Sequence, residues 1–197
     1  MEKRTPSHIL ACPLIALFTI LVGFGCATEG MLVEPVLDSP GHHVESGFKL
    51  MEKGRLADAG REFTFARQLD PKCSAAYRGM GLVNGLKGEF PAAFTAMDFA
   101  VKLSADGEEK VLAHEGFIRL YAMSMKKGWL RAAEKNFALA RAITTDNPSV
   151  YYYMAVAYEV GGCYAEAEET FRKVIEINNG YIVETYEHLK FLRSLNQ

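Results

Sequence analysis

Few residues in this chain have the types and spacing that do chemistry, and each candidate falls short of a site. His114-Glu115 opens the helical zinc-protease pattern. There a second histidine four residues on shares the face of the first to grip a metal, with the glutamate as general base. Ile118 stands in that place. His42-His43 offers two imidazoles, for which a solvated pair is the simpler reading. Tyr151, Tyr152 and Tyr153 suggest an aromatic cage, although packing of the elements derived below accounts for Tyr151. No nucleophile elbow, phosphate loop or CxxC motif is present. With no paired acid, base or nucleophile, the chain is expected not to be an enzyme and to use no cofactor and no metal.

Composition narrows the remaining classes. The chain has 197 residues, 49% hydrophobic and 23% charged, with a net charge of −2. That is a folding composition. No long basic run occurs, so nucleic acid is not an expected partner.

The elements that position these residues emerge from self-similarity. Gly47 and Gly81 are offset by 34 positions, and so are Gly54 and Gly88, Ala59 and Ala93, Ala66 and Ala100, and Leu69 and Leu103. The same offset relates Phe117 to Tyr151, Gly128 to Gly162, Ala133 to Ala167 and Phe137 to Phe171. Each unit reads as two helices. The first begins near His43, Tyr77, Phe117 or Tyr151, and a glycine turn (Gly54, Gly88, Gly128, Gly162) ends it. The second carries a small residue where the helices cross (Ala59, Ala93, Ala133, Ala167). A large residue follows four positions on (Phe63, Met97, Phe137, Phe171) and fills the gap. Asp70-Pro71 and Asn147-Pro148 read as capping side chains before helix-starting prolines.

Between the second and third units lies an insertion, Glu108 to Ala113, rich in helix formers, with Asp106 and Glu109 as a capping box. It predicts a third-unit first helix that starts about two turns early and is some 9 Å longer. Residues 182–195 have helical apolar spacing and read as a terminal helix covering the last unit. Cys73 and Cys163 fall in units whose helix pairs stack about 10 Å apart, beyond the roughly 7 Å Cα limit of a disulfide, so no bridge is expected.

This period, with its Gly, Ala, Phe and Pro pattern, resembles the tetratricopeptide repeat. The first unit matches most closely, through Gly47, Ala59, Phe63, Ala66 and Pro71. The second has Met97 for the usual aromatic and Ala105 for the proline, the third has Tyr121 where the family has a small residue, and the fourth has Val174 for the second alanine. The resemblance implies an all-α fold, an α-solenoid of four helix–turn–helix repeats (40–73, 74–107, 114–147 and 148–181) with a capping helix at 182–197.

The N-terminus has a different character. Lys3 and Arg4 precede an apolar run, Ile9 to Val22, which leads through Gly23-Phe24-Gly25 to Cys26. This is the layout of a secretory signal. Val22-Gly23-Phe24-Gly25-Cys26 resembles the lipobox of bacterial lipoproteins, with Gly23 where the family usually has leucine. The resemblance implies a signal peptide at 1–25, acyl chains such as palmitate on Cys26, and a tether at 26–39 that contains Gly30 and Pro35. Ile9-Leu10-Ala11-Cys12 matches locally, but no apolar segment precedes it. The alternative is an uncleaved anchor, for which Ile9–Val22 is shorter than the roughly 20 residues a span needs. Thr28 is not the aspartate that retains enteric lipoproteins in the inner membrane, so the analogy favours the outer membrane facing the periplasm.

In the family, the first helices line a concave face. Helix spacing then selects the lining: Val44, Phe48, Met51 and Glu52; Arg78, Leu82, Gly85 and Leu86; Ile118, Ala122, Met125 and Lys126; Tyr152, Val156, Glu159 and Val160. This lining is mostly apolar, as a binding face would be. Val44 and Phe48 stand where chaperone-binding relatives place a Lys and Asn clamp for acidic C-termini. An amphipathic helix or apolar extended peptide is therefore the expected ligand. Leu82, Ile118 and Val156 occupy equivalent places, so glutamate at any of them is expected to spare stability and abolish binding. The resemblance implies a membrane-tethered protein–protein interaction scaffold, like repeat lipoproteins that assist pilus secretin assembly or recruit cell-wall enzymes. The alternative is a structural envelope component that self-associates, its groove filled by its own tether through Met31-Leu32-Val33 and Val36-Leu37.

Overall fold

The computed structural model describes residues 38–195, which form nine helices and no strand. They are α1 (Pro40–Glu52), α2 (Leu56–Leu69), α3 (Ser74–Leu86), α4 (Phe90–Leu103), α5 (Gly107–Ser124), α6 (Trp129–Arg141), α7 (Pro148–Val160), α8 (Tyr164–Ile177) and α9 (Ile182–Ser194). The expected signal peptide, Cys26 and most of the tether lie outside the described residues. The helices α1, α3, α5 and α7 each pack against the even helix that follows, and they also pack in succession against one another. This is a solenoid of four helical pairs with α9 laid on α8. No helix among the described residues is long and apolar enough to cross a membrane.

The turn glycines do what their spacing implied. Gly54, Gly88, Gly128 and Gly162 have φ of 70°, 79°, 79° and 74°, a left-handed backbone in which a β-carbon is strained. The small residues sit at the helix crossings. Ala59, Ala93, Ala133 and Ala167 are all wholly buried, as are Phe63, Met97 and Phe171 four residues later. Opposite them the first helices also need small residues. A β-carbon on Gly47 would lie 2.6 Å from the Phe63 ring, and one on Gly81 would lie 3.0 Å from Met97 Cε. The third pair differs. Tyr121 takes the corresponding place, and Phe137 is only half-buried, turned edge-on to Tyr151 at 5.2 Å. Tyr121 itself packs on Phe94, with ring centroids 4.9 Å apart.

Helix starts follow the capping chemistry in part. Asn147 caps α7 through Oδ1, which accepts from the backbone N–H groups of Ser149 (3.1 Å) and Val150 (3.3 Å), with Pro148 next. Asp70-Pro71 does not start a helix. Asp70 closes α2, its Oδ1 accepts from the Lys72 N–H at 2.9 Å, and α3 begins only at Ser74. Ser39-Pro40 is the missed start: Ser39 Oγ accepts from the His42 N–H and caps α1. Cys73 and Cys163 precede α3 and α8 and are unbridged.

The insertion lengthens α5 at its front. Asp106 accepts from the Glu109 N–H at 2.9 Å, and Glu109 Oε2 in turn accepts from the Ala105 N–H at 2.8 Å. At 18 residues α5 outruns the 13 of α3 and α7 by about 7.5 Å. This is less than the insertion implied, because α5 stops at Ser124 and Met125 turns left-handed at φ 45°. At the far end, α9 buries Thr185, Leu189 and Leu192, an i, i+4, i+7 stripe that packs toward Phe171.

Candidate functional site

The succession α1, α3, α5, α7 makes the inner row of the solenoid, and its uncovered side chains define the candidate site. Two aromatic–arginine pairs organise it. The Arg78 guanidinium lies 4.5 Å from the Phe48 ring centroid, and that of Arg119 lies 4.3 Å from the Tyr153 ring. Toward the C-terminal end, Arg119, Ala122, Met123, Tyr153, Val156 and Val160 line a mostly apolar pocket of about 230 Å³ between α5 and α7. Tyr152 stacks on Tyr181 at 4.6 Å, while its hydroxyl meets His188 Nε2 at 3.3 Å. His188 Nδ1 reaches Glu159 at 2.9 Å, so α7 and α9 are linked through one imidazole.

The structure divides the lining expected from the sequence. Val156 and Val160 line the pocket, and Phe48, Met51, Arg78 and Tyr152 are partly open. Leu86 is 46% exposed, at the end of α3. Leu82 and Ile118 do not line the face. Both are wholly buried, Leu82 with Phe117 and Leu120 and Ile118 with Val150 and Met154, because successive first helices touch each other and close over that position. Met125 is exposed, but it lies past the end of α5 as its left-handed cap and is not part of the pocket. The pocket keeps Ala122, Val156 and Val160 of the expected lining, but elsewhere it uses the neighbouring residues. Arg119 replaces Ile118, and Tyr153 joins Tyr152. The signal was present in the residue types, since an arginine follows a β-branched aliphatic there. Tyr181 lies in the α8–α9 connection, outside the first helices and their spacing.

Electrostatics sharpen the inner face. Glu115 is only 3% exposed, and its ion pair is with Arg119 at 3.3 Å. Desolvation lowers the pKa of Arg78, partly offset by the nearby Glu115. Burial likewise holds the Tyr181 hydroxyl protonated well above the usual tyrosine range, assisted by the neighbouring Tyr153 and Glu115. Tyr152 shifts the same way, again chiefly through burial.

The other chemical candidates are structural. His114 is nearly buried and bonds through Nδ1 to Asn136 Oδ1 at 2.9 Å, while Asn136 Nδ2 donates to the Ala132 carbonyl. His43 is not a solvated residue: it joins α1 to α2 through Glu62 at 2.7 Å. Among the described residues no cluster of three or more metal-ligating side chains occurs.

No family model matches the chain, and no curated protein matches it. Solved structures do. The chain superposes on TTC0263, a thermophilic TPR protein of Thermus thermophilus, with a TM-score of 0.64 and 17% identity, covering 78% of this chain and 80% of that one. The fold is that of a tetratricopeptide repeat array. A chain of the APC/C hetero-tetramer Cut9–Hcn1 gives 0.62 and 18% identity over 83% of this chain, which spans 32% of that longer chain. MamA (41-end) from Desulfovibrio magneticus RS-1 gives 0.50 and 16%, over 80% of this chain and 85% of that one. In tetratricopeptide terms, α1, α3, α5 and α7 are the first helices of four repeats and α9 is the capping helix.

Proposed function

We propose that this chain is a non-enzymatic interaction scaffold whose inner face holds an apolar helix or extended peptide of a partner protein. The observation that carries the reading is the pocket between α5 and α7. Its lining is chiefly apolar, it stands open, and Val160 in its wall is 45% exposed although the core is already closed by Ile118, Val150 and Met154. Acyl chains on Cys26 would hold the array at the outer membrane facing the periplasm, where repeat scaffolds of this kind serve pilus secretin assembly or cell-wall enzyme recruitment.

A second reading, self-association, has its own observation. On α9, Val183, Tyr186 and Phe191 are 74%, 57% and 48% exposed, whereas solenoid ends are usually polar. A photocrosslinking residue placed at Val156, with Leu139 on α6 as the outer-face control, separates the two in cells. Adducts to a different protein from Val156 alone support the scaffold. Adducts only to second copies of the chain support self-association. Equal adducts from both positions remove the inner face from the account.

A further inference from the structure

Arg78 is held in place by three helices, yet no anion of the described residues meets it. Its aliphatic stem lies against α5 at Gly116, where a β-carbon would sit 3.7 Å from Arg78 Cγ. Its guanidinium covers the Phe48 ring on α1 at 4.5 Å. Among the described residues it makes no ion pair and no hydrogen bond. The carboxylate closest in influence, Glu115, is committed to Arg119 at 3.3 Å. Glu115 thus faces two guanidiniums, and Glu109 acts on Arg78 only weakly and at a distance, so Arg78 has no carboxylate in contact and its positive charge stands on an aromatic wall in a chain whose net charge is −2.

A guanidinium presents donors in a rigid fork, and out of water those donors favour a carboxylate or a phosphate. Apolar surface continues on both sides of the arginines. Phe48 and Met51 lie toward the N-terminal repeats, and Val156 and Val160 toward the C-terminal ones. A ligand that fills this face runs past the arginines in both directions, so its anion belongs to a side chain within the segment and not to a chain end. We infer that Arg78 and Arg119 form an anion subsite on the inner face, which receives an aspartate or glutamate side chain of an otherwise apolar protein segment. This inference rests on the inner face being the binding surface.

The test is a selection of random peptides displayed on phage against the full chain, followed by titration of the synthesised winners. Enriched sequences are expected to carry an acidic residue between apolar ones. Exchanging that residue for its amide should weaken binding about tenfold, Arg78→Gln should do the same, and the two together should weaken it no further than either alone. Arg78→Gln breaks no ion pair but gives up the stacking on Phe48, so the control is its circular dichroism at the assay temperature, which should match that of the parent and exclude misfolding as the cause. Winners that lose nothing with the amide or with Arg78→Gln, but lose affinity with Val156→Glu, would overturn the anion subsite and leave the inner-face reading intact. Loss on amidating the peptide's C-terminus, in place of the side-chain exchange, would overturn the assignment in favour of a terminal carboxylate. Winners indifferent to Val156→Glu as well, or no enrichment at all, would overturn both.

Discussion

Phe63 is wedged between two glycines of neighbouring first helices. A β-carbon on Gly47 would come within 2.6 Å of its ring, and one on Gly79 within 2.2 Å. The ring thus sets the spacing of α1, α2 and α3 together. Gly79→Ala should overpack this junction and cost about 1–3 kcal/mol or more. Phe63→Leu in the same chain should recover part of that loss, because the smaller side chain vacates the contested volume. Urea unfolding of the two single variants and the double variant reads the coupling directly.

Leu82 and Ile118 should tolerate no charge. Each is wholly buried between adjacent first helices, so a glutamate there is an unpaired buried carboxylate, expected to cost about 3 kcal/mol or more. Val156→Glu, half-buried at the rim of an open pocket where its carboxylate can still reach water, should cost less, about 1 kcal/mol. Thermal melts of the three variants should therefore split two against one, although repeat spacing treats the positions as equivalent.

That split marks where the sequence was legible. The period of Gly47, Ala59 and Phe63 specified the helices and their pairing, because turn glycines and small–large crossings are local requirements that recur in every repeat. The face of a first helix is set otherwise. How closely α3, α5 and α7 approach one another decides whether Ile118 or Arg119 meets solvent, and that approach depends on contacts between repeats. Asp70-Pro71 misled for a related reason. A side-chain cap and an Asx turn use the same residues, and only the backbone conformation beyond them distinguishes the two. Tyr181 was out of reach altogether, because the α8–α9 connection brings it onto Tyr152 from outside the repeat pattern.

Alkaline pH should loosen the C-terminal end. Burial raises the pKa of Tyr181 above its ordinary value of 10.0, so the folded state prefers the protonated hydroxyl. The stability this confers is complete below the unfolded pKa near 10 and is lost as pH rises above it, since the unfolded chain then releases a proton that the folded chain retains. Tyr152 adds in the same direction. Tyr181→Phe should flatten the fall in stability above pH 10. An unchanged slope would show that Tyr181 is not shielded from water.

Lipid attachment at Cys26 has a simple assay. Cys26→Ser should leave a full-length precursor without acyl chains, while Cys12→Ser should mature normally. Labelled fatty acid retained on the Cys26→Ser protein would refute the assignment.

The measurement closest to the central claim is the affinity of the partner crosslinked from Val156, titrated against the parent chain and Val156→Glu at matched folding. An inner-face scaffold predicts a loss of about thirtyfold or more, the effect of charging a central apolar anchor, with both proteins fully folded at the assay temperature. Equal affinity of the two proteins for that partner would contradict the account.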